Sequence, residues 1–565
     1  MIKKIFNSRT KGITASAYIL VGAGIISAIL GLFRDRILAG TFGAGINLDI
    51  YFAAFRIPNL VFGLLISGGI IAAFMPVFFE SFALNKEKGW QLANNIINCF
   101  LVFSILICGL LFLFAPYLVS LVVPGFDTAS KELTITLTRI MLLSPILFGL
   151  SNIFASVLQY FNRFLVYSLS PILYNLGIIF GILFLYPIFG IYGLAYGVIL
   201  GALFHWLIRM FASYFSGFSH KLIFNIRTLE LKKVLKLMIP RTIGAVSAHI
   251  NLIIITAIAS TLAVGSIAVF NFSDNLRSLP IGIIGASWAI AAYPFLIRDW
   301  VGKRKQEFLK RLSSTFRQTV IIILPLSFLF FLLRAQIVRI VLGTGKFDWG
   351  DTQLTAAALG LFSLGILAHS LVPLLVRVFW SFQDTKTPLF AGLASIAINI
   401  SLAFYFIWLL RFPNVFQAFL VNLLDLTGVL KILGPESIAI IGLPIALSLA
   451  GIFQVLLLLI FLHRKIGDFH LKKIFISLFK SFLASIVMAF GVYFTLQIMA
   501  NIVDMKTGVG ILIQMVSAIL TGVLIYVFMA HLLKLSEVKT LLKQLCFCFK
   551  KQELDSNGSK FLSKT

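Results

Sequence analysis

Long apolar stretches alternate along the chain with short segments that carry most of the charge. About twenty consecutive apolar residues span a bilayer as a helix, and open sheet edges cannot face lipid. The pattern therefore predicts an all-α polytopic membrane protein with about fourteen transmembrane helices. The predicted spans are residues 12–33, 47–78, 92–122, 134–160, 165–186, 190–213, 236–262, 265–297, 314–340, 353–381, 388–410, 438–463, 475–500 and 508–533.

Two of these spans, 47–78 and 265–297, are long for one crossing and contain proline and several glycines. Such residues bend or break membrane helices where protein or a cavity can satisfy the freed backbone groups. We therefore expect an interruption in each span. The residues concerned are Pro58, Gly63, Gly68, Gly69, Pro280, Gly282 and Gly285.

An internal repeat divides the chain. The segment Gly125–Asp127 recurs as Lys346–Asp348, a shift of 348 − 127 = 221 residues, and at the same shift Phe161 falls on Phe382. With an even number of helices in each copy, the copies are parallel and a substrate route lies between them. The predicted organisation is two pseudo-symmetric six-helix lobes and two further helices. The predicted boundaries are 1–225 and 226–466 for the lobes, 467–533 for the last two helices and 534–565 for a basic cytoplasmic tail.

The connection 411–437 is long for a loop between spans, and its apolar residues have rough helical spacing. We interpret it as an external insertion that contains an interfacial amphipathic helix. Its apolar positions are Phe416, Phe419, Leu420, Leu423, Leu424 and Leu430.

Composition agrees with a membrane protein: 60% of the residues are hydrophobic, 12% are charged and the mean hydropathy is +1.02. The net charge of +27 falls in basic clusters between the spans, as the positive-inside rule requires. It therefore indicates topology and contact with membrane lipids, not nucleic-acid binding, and it places both termini in the cytoplasm.

Sequence motifs for catalysis are lacking. The chain has no Walker A motif, no recognisable Ser/His/Asp context and no metal-ligand spacing. We therefore expect no enzymatic activity, no bound metal and no cofactor, although a membrane potential or an ion gradient remains open as a driving force.

Ionisable residues inside the apolar spans are the strongest functional signal, because such groups are costly at membrane depth. Arginine clamps phosphate through two parallel hydrogen bonds and keeps its charge in a low-dielectric site. The alternative is that Arg–Asp pairs lock helices together or that arginine reaches the membrane interface. We favour this alternative for Arg36 and Arg241, and Arg139 is a further arginine within a span. The predicted substrate-binding residues are Arg34, Asp35, Asp49, Arg56, Asp274, Arg277 and Arg377.

Several segments in order resemble the MviN/MurJ family of lipid II flippases. They are FRDRILAGTFGAGINLDIYFAAFRIPNL, LTRIMLLSP, ASVLQYFNRF, SPILYNLGIIFG, GIYGLAYGVILGALFHWLI, HINLII and FQDTKTP. The resemblance implies a V-shaped bundle with a central cavity and a groove for the undecaprenyl tail beside the last two helices. It also implies a multi-pass protein of the bacterial cytoplasmic membrane that carries lipid II to the outer leaflet by alternating access.

The resemblance assigns cavity roles to Arg34, Asp35, Asp49 and Asp274, and Arg56 stands where the family often has lysine. It also shows departures, because family arginines correspond to Ala28, Phe62 and Asn275 here. An acidic position corresponds to Ser67, and a sodium-linked aspartate of part of the family corresponds to Ile255. We therefore expect Arg34, oriented by Asp35 and within reach of Asp49, to be the main anion-binding residue.

Other functions stay open at this point. A related exporter of drugs or of another polyprenyl-linked glycan would share the architecture, and a non-transporting scaffold would fit the missing arginines. A membrane glycosyltransferase has little support, because the 411–437 segment offers only Asp425 and Glu436. We expect a monomer, and membership of a cell-wall synthesis complex remains open.

Overall fold

The computed structural model describes residues 13–67, 70–425, 430–432, 434–535 and 537–538. In those ranges every regular element is a helix. The predicted basic tail falls almost entirely outside them. The helices, in chain order, are α1 (Ile13–Phe42), α2 (Ile46–Ala54), α3 (Arg56–Phe62), α4 (Ile70–Leu84), α5 (Lys86–Val122), α6 (Thr128–Met141), α7 (Leu143–Tyr160), α8 (Phe164–Phe180), α9 (Tyr186–Phe189), α10 (Tyr192–Tyr214), α11 (Leu229–Ala259), α12 (Ser266–Pro280), α13 (Ser287–Val301), α14 (Lys305–Leu332), α15 (Arg334–Val341), α16 (Trp349–Ser381), α17 (Lys386–Leu410), α18 (Val415–Leu424), α19 (Pro435–Ile438), α20 (Gly442–Ile466), α21 (Leu471–Ile502) and α22 (Gly508–Leu532).

The number of membrane-length segments agrees with the prediction. Twelve helical segments are long and apolar enough to cross a membrane. The helices α1 and α11, of 30 and 31 residues, are additional to these, so the total is 12 + 2 = 14. The all-α class and the predicted helix number are confirmed.

The helices belong to two compact units. Unit 1 contains Met1–Phe272, Val341–Thr355 and Ile396–Leu443. Unit 2 contains the remaining segments, Ser273–Ile340, Ala356–Ser395 and Pro444–Thr565. These units differ from the predicted lobes, whose boundaries stay a prediction.

Each unit has an aromatic core. In unit 1, Phe74 and Phe78 of α4 are fully buried, and the Phe78 ring lies 5.6 Å from that of Tyr160 on α7. In unit 2, Phe308 and Phe379 are fully buried within one apolar cluster of α13, α14, α16 and α20. Because lipid is as apolar as these side chains, close packing holds the helices together more than removal from water does.

Both predicted interruptions are present. A π-helical turn, Gly63–Ser67, follows α3, and another, Ile281–Ala286, separates α12 from α13. A π turn accommodates an extra residue and breaks the regular hydrogen-bond ladder. Gly68 and Gly69 lie outside the described residues. A third π turn, Gly181–Leu185, follows α8 and was not predicted.

Two helices differ in extent from the predicted spans. The first span was predicted as 12–33, and α1 continues beyond it to Phe42 with the Arg34–Asp35 ion pair inside the helix. The span 314–340 is divided into α14 and α15. There the Arg334 side chain donates a hydrogen bond to the Phe331 carbonyl oxygen at 2.7 Å, which satisfies a carbonyl of the last turn of α14.

Helices α7 and α16 end in the same backbone conformation. Helices α7 and α16 end 221 residues apart, and each is followed two residues later by a left-handed residue, Asn162 with φ 56° and Gln383 with φ 60°. The next amide in each copy bonds to the carbonyl oxygen five residues earlier, at 2.9 and 3.0 Å. The same cap also ends α13 at Lys303 and α22 at Lys534, so it is a common helix end and the predicted repeat stays a prediction.

Helices α8 and α10 of unit 1 touch through glycines. A Cβ atom on Gly177 would lie 2.3 Å from the Cα atom of Gly201, and one on Gly181 would lie 2.5 Å from that of Gly197. Small residues let membrane helices approach backbone to backbone. We call these four residues the glycine seam.

The 411–437 connection contains the expected helix, α18. Leu420 and Leu424 are buried, whereas Phe419 and Leu423 are 57% and 47% exposed. One apolar side thus packs on unit 1 and another stays uncovered by the protein, as an interfacial helix requires.

Candidate functional site

Arg34 lies in the C-terminal half of α1 in unit 1 and is held by two side chains. Its Nε and Nη2 atoms donate to Asp35 Oδ1 at 3.0 and 2.7 Å, and Nη1 donates to Asn175 Oδ1 on α8 at 3.1 Å. The Arg34 side chain is 22% exposed and that of Asp35 is 5% exposed. The expectation that Asp35 orients Arg34 fits this geometry.

The Arg34 guanidinium has N–H groups that these contacts do not use. Arginine has five N–H groups, and three of the Arg34 groups are used, so 5 − 3 = 2 have no acceptor in the described part of the chain. Asn175 is itself fixed, because its Nδ2 donates to the Pro171 and Ser27 carbonyl oxygens at 3.2 and 3.3 Å. Arg34 is thus a partly exposed, pre-oriented cation that can accept an anion.

Asp49 accepts hydrogen bonds from two backbone amides, and its predicted role in substrate binding stays a prediction. Its Oδ2 accepts from the Gly265 amide at 2.6 Å and its Oδ1 from the Ala268 amide at 2.8 Å. The carboxylate therefore caps the start of α12, where free amides and the helix dipole favour a negative charge. Asp49 is 2% exposed. The hydrogen-bond partners described for Asp49 are different residues from those described for Arg34.

Further contacts join the same region of unit 1. The Ala44 amide donates to Asp351 Oδ2 at 2.8 Å, and the Lys346 amide donates to the Gly40 carbonyl oxygen at 2.8 Å. Together with the contacts of Asp49, they connect residues 40–49 with residues 265–268 and 344–351, which belong to the first and second halves of the chain. We call this set of contacts the clasp.

Arg56 on α3 is buried and serves as a connector. Its Nε donates to Thr256 Oγ1 at 2.6 Å and its Nη2 to Asn271 Oδ1 at 2.8 Å. With only 7% of the residue exposed, it ties α3 to α11 and α12. Its predicted role in substrate binding stays a prediction.

In unit 2, Arg277 pairs with Asp274 one turn earlier on α12, with 2.7 Å between Nε and Oδ1. Its guanidinium carbon lies 4.2 Å from the centre of the Phe362 ring, and its buried Nη1 has no hydrogen-bond partner in the described ranges. Arg377 on α16 donates only to the Pro373 carbonyl oxygen of its own helix, at 3.1 Å, as far as the structure describes.

The remaining intramembrane arginines fit the interface interpretation or cannot be placed. Arg139 donates to the Phe112 carbonyl oxygen at 3.2 Å and lies over the Phe112 ring. Arg36 is half-buried on α1. The side chain of Arg241 lies outside the described residues. No group of three or more His, Cys, Asp or Glu side chains in the described ranges could hold a metal ion.

Sequence reasoning missed two buried arginines of unit 1. Arg209, 3% exposed, donates to Ser170, Asn152 and two carbonyl oxygens, and Arg163 donates to the Ala212 and Phe215 carbonyl oxygens at the end of α10. The position of Arg209 at the end of the apolar segment GIYGLAYGVILGALFHWLI was the available signal.

A family profile described as "Lipid II flippase MurJ" matches residues 38–517 of the 565. The chain belongs to the MurJ family. A probable lipid II flippase MurJ of Buchnera aphidicola subsp. Acyrthosiphon pisum is 32% identical over 380 residues, which cover 66% of this chain and 74% of that protein.

Solved structures agree with the MurJ assignment. A lipid II flippase MurJ in an inward closed conformation superposes with a TM-score of 0.71 at 25% identity, covering 91% of this chain and 98% of that one. An inward-facing multidrug resistance MATE family transporter of the MOP superfamily shares the fold, with a TM-score of 0.63 at 16% identity over 78% of this chain and 95% of that one. The protein is therefore a multi-pass membrane protein with a transporter fold.

Three positions where this MurJ family member departs from the family pattern are visible in the structure. The Phe62 ring packs edge-on against that of Phe148, 5.8 Å away. Ile255 is buried, and Asn275 is half-buried on α12. The side chains of Phe62 and Ile255 are apolar and supply no charge to a substrate.

Proposed function

We propose that this protein carries lipid II, the undecaprenyl-diphosphate-linked precursor of peptidoglycan, from the inner to the outer leaflet by alternating access. Membership of the MurJ family supports the substrate class. Arg34 carries the proposal, because Asp35 and Asn175 orient its guanidinium and two of its N–H groups have no acceptor among the described residues. A diphosphate presents oxygens that match such a planar donor.

The clasp supports the transport cycle. It fastens segments of the two halves of the chain to each other, and its hydrogen bonds include two to a buried carboxylate. Alternating access requires such a connection to form in one state and to break in the other. In the proposed topology, with both termini in the cytoplasm, the clasp lies at the outer face and corresponds to the state closed to the outside.

Other features complete the proposal. The protein transports without catalytic chemistry of its own and without a bound cofactor, and a membrane potential or an ion gradient drives the cycle. It acts as a monomer in the bacterial cytoplasmic membrane. A drug exporter or a scaffold would share the fold. Neither explains why an arginine that can donate hydrogen bonds to a phosphate is retained and pre-oriented.

The test compares wild type with Arg34→Lys and Arg34→Ala at matched membrane levels, measuring binding of lipid II and its appearance in the outer leaflet of cells depleted of their own flippase. A charge-assisted contact contributes about 1.5–3 kcal/mol, so Arg34→Ala should lower affinity roughly ten- to hundred-fold. Arg34→Lys should also impair transport, because it lacks the planar fork.

Arg139→Ala is the matched control. It removes an arginine of the same unit whose described contacts are with Phe112 alone, and it should leave flipping unchanged. Normal flipping by Arg34→Ala would contradict the proposed mechanism and would favour the exporter or the scaffold.

A further inference from the structure

A cavity of about 300 Å³ lies inside unit 1, between α3, α7, α8 and α10. Its wall combines aromatic rings with polar side chains. The Phe148 ring stands edge-on to Tyr174 and to His205, with ring centres 5.0 and 5.1 Å apart. The volume is at the low end for small-molecule pockets, so it accommodates one ring and not a whole disaccharide-peptide.

One polar group of the wall is a fixed acceptor. The Ser151 hydroxyl donates to the His205 carbonyl oxygen at 3.0 Å, so its oxygen receives a proton from His205 Nδ1, which lies 2.9 Å away. This assignment by the hydrogen-bond network leaves Nε2 as an unprotonated acceptor. His205 is 7% exposed and lines the cavity, and Nε2 has no partner among the described residues.

A second group is a fixed donor. Arg209 Nη1 donates to Asn152 Oδ1 at 3.2 Å, and since arginine cannot accept, the amide oxygen of Asn152 must face it. Both N–H groups of Asn152 are then left without an acceptor in the described ranges, beside the cavity. The Arg209 guanidinium lies behind this wall and bonds only to neutral oxygens.

Asn59 and Tyr174 also line the cavity and have no side-chain hydrogen bond with any residue that the structure describes. His205 is buried, whereas Asn59, Asn152 and Tyr174 are half-buried, and a ligand that fills the cavity would take all four away from water, where polar groups need partners. Four polar groups around a small aromatic-walled space therefore fit a neutral ligand with hydroxyl and amide groups and an apolar face, which is the chemistry of an N-acetylated sugar ring. A lipid tail would leave all of them unsatisfied.

We propose that this cavity is a subsite for the sugar ring that is bonded directly to the diphosphate of the substrate; the assignment rests on the proposed function. Tyr174 of the wall and Asn175, which holds Arg34, are consecutive residues of α8. Neighbouring residues of a helix point about 100° apart. The sugar subsite and the anion site thus adjoin, as ring and diphosphate do in the substrate.

The test uses the full chain in lipid nanodiscs and two ligands, lipid II and undecaprenyl diphosphate, which lacks the sugar. Tyr174→Phe removes one hydroxyl and keeps the ring. It should weaken binding of lipid II about three- to ten-fold, the effect of one neutral hydrogen bond, and leave binding of undecaprenyl diphosphate unchanged. His205→Phe should act in the same direction. Tyr196→Phe, which removes a hydroxyl from the outer side of α10, is the control.

Equal weakening of both ligands by Tyr174→Phe and His205→Phe, or no change with either, would overturn the subsite. So would a wild type that binds the two ligands equally. These outcomes are distinct from failure of the proposed function, in which wild type flips no lipid II and Arg34→Ala changes nothing.

Discussion

Gly265 offers a direct way to open the clasp. It has φ +90°, and a Cβ atom there would lie 1.9 Å from the Ala44 carbonyl oxygen. Gly265→Ala therefore forces the backbones of the two segments apart. Because the Gly265 amide donates to Asp49 at 2.6 Å, that hydrogen bond must lengthen or break as well.

Gly190→Ala is the matched control for the effect of Gly265→Ala on the opening of the clasp. Gly190 also has a positive φ, of 58°, but a Cβ atom there would meet nothing within 4 Å. Both alanine variants cost about 1–2 kcal/mol of backbone strain. Only Gly265→Ala also loses a charge-assisted hydrogen bond, about 1.5–3 kcal/mol, so its clasp should open about ten to a hundred times more often than that of Gly190→Ala.

The assay is the rate at which an impermeant thiol reagent modifies Thr344→Cys, with the four native cysteines replaced. Thr344 packs against Gly40 within the clasp. Its modification should accelerate at least ten-fold in Gly265→Ala, and lipid II flipping should fall because the closed state is depleted. Equal modification rates in the Gly265→Ala and Gly190→Ala backgrounds would refute the role of the clasp as a gate.

Two further predictions concern stability. Burial alone would raise the pKa of Asp384, but hydrogen bonds from Lys465 and Thr387 outweigh it and lower the pKa. That stabilisation is complete above the unfolded pKa of about 3.9 and disappears as pH falls through the lower native pKa. The Tm advantage of wild type over Asp384→Asn should therefore shrink below about pH 4, and a pH-independent difference would contradict this. Tyr526→Phe should lower the free energy of unfolding by about 1–3 kcal/mol, measured by thermal unfolding, because the buried hydroxyl donates to the Ile321 carbonyl oxygen at 2.8 Å. Tyr493→Phe, at an exposed position, should change it little. Equal losses in the two variants would contradict the role of the Tyr526 hydrogen bond.

The hydropathy pattern was sufficient to predict the number of helices, and the proline and glycine positions were sufficient to predict the helix breaks at Gly63 and Gly282. The reason is that the bilayer fixes the length of an apolar run, and the proline and glycine positions mark where it is interrupted. Hydropathy could not place the end of α1, because a paired charge such as Arg34–Asp35 can continue a helix although it interrupts the apolar run.

Partners distant in sequence could not be predicted. Asn175, which holds Arg34, is 141 residues away, and the amides that Asp49 caps are more than 200 residues away. No periodicity encodes such pairs. From the sequence alone, an aspartate in an apolar span could be a substrate ligand or a helix cap. Only the fold places Asp49 at the start of α12.

The glycine seam has a consequence for selectivity. Since α8 and α10 touch backbone to backbone, we expect them to move together as one rigid unit. Asn175 belongs to α8 and His205 to α10, so the distance between the proposed diphosphate and sugar contacts should stay nearly constant. A substrate whose first ring lies at a different distance from its phosphates should then bind more weakly.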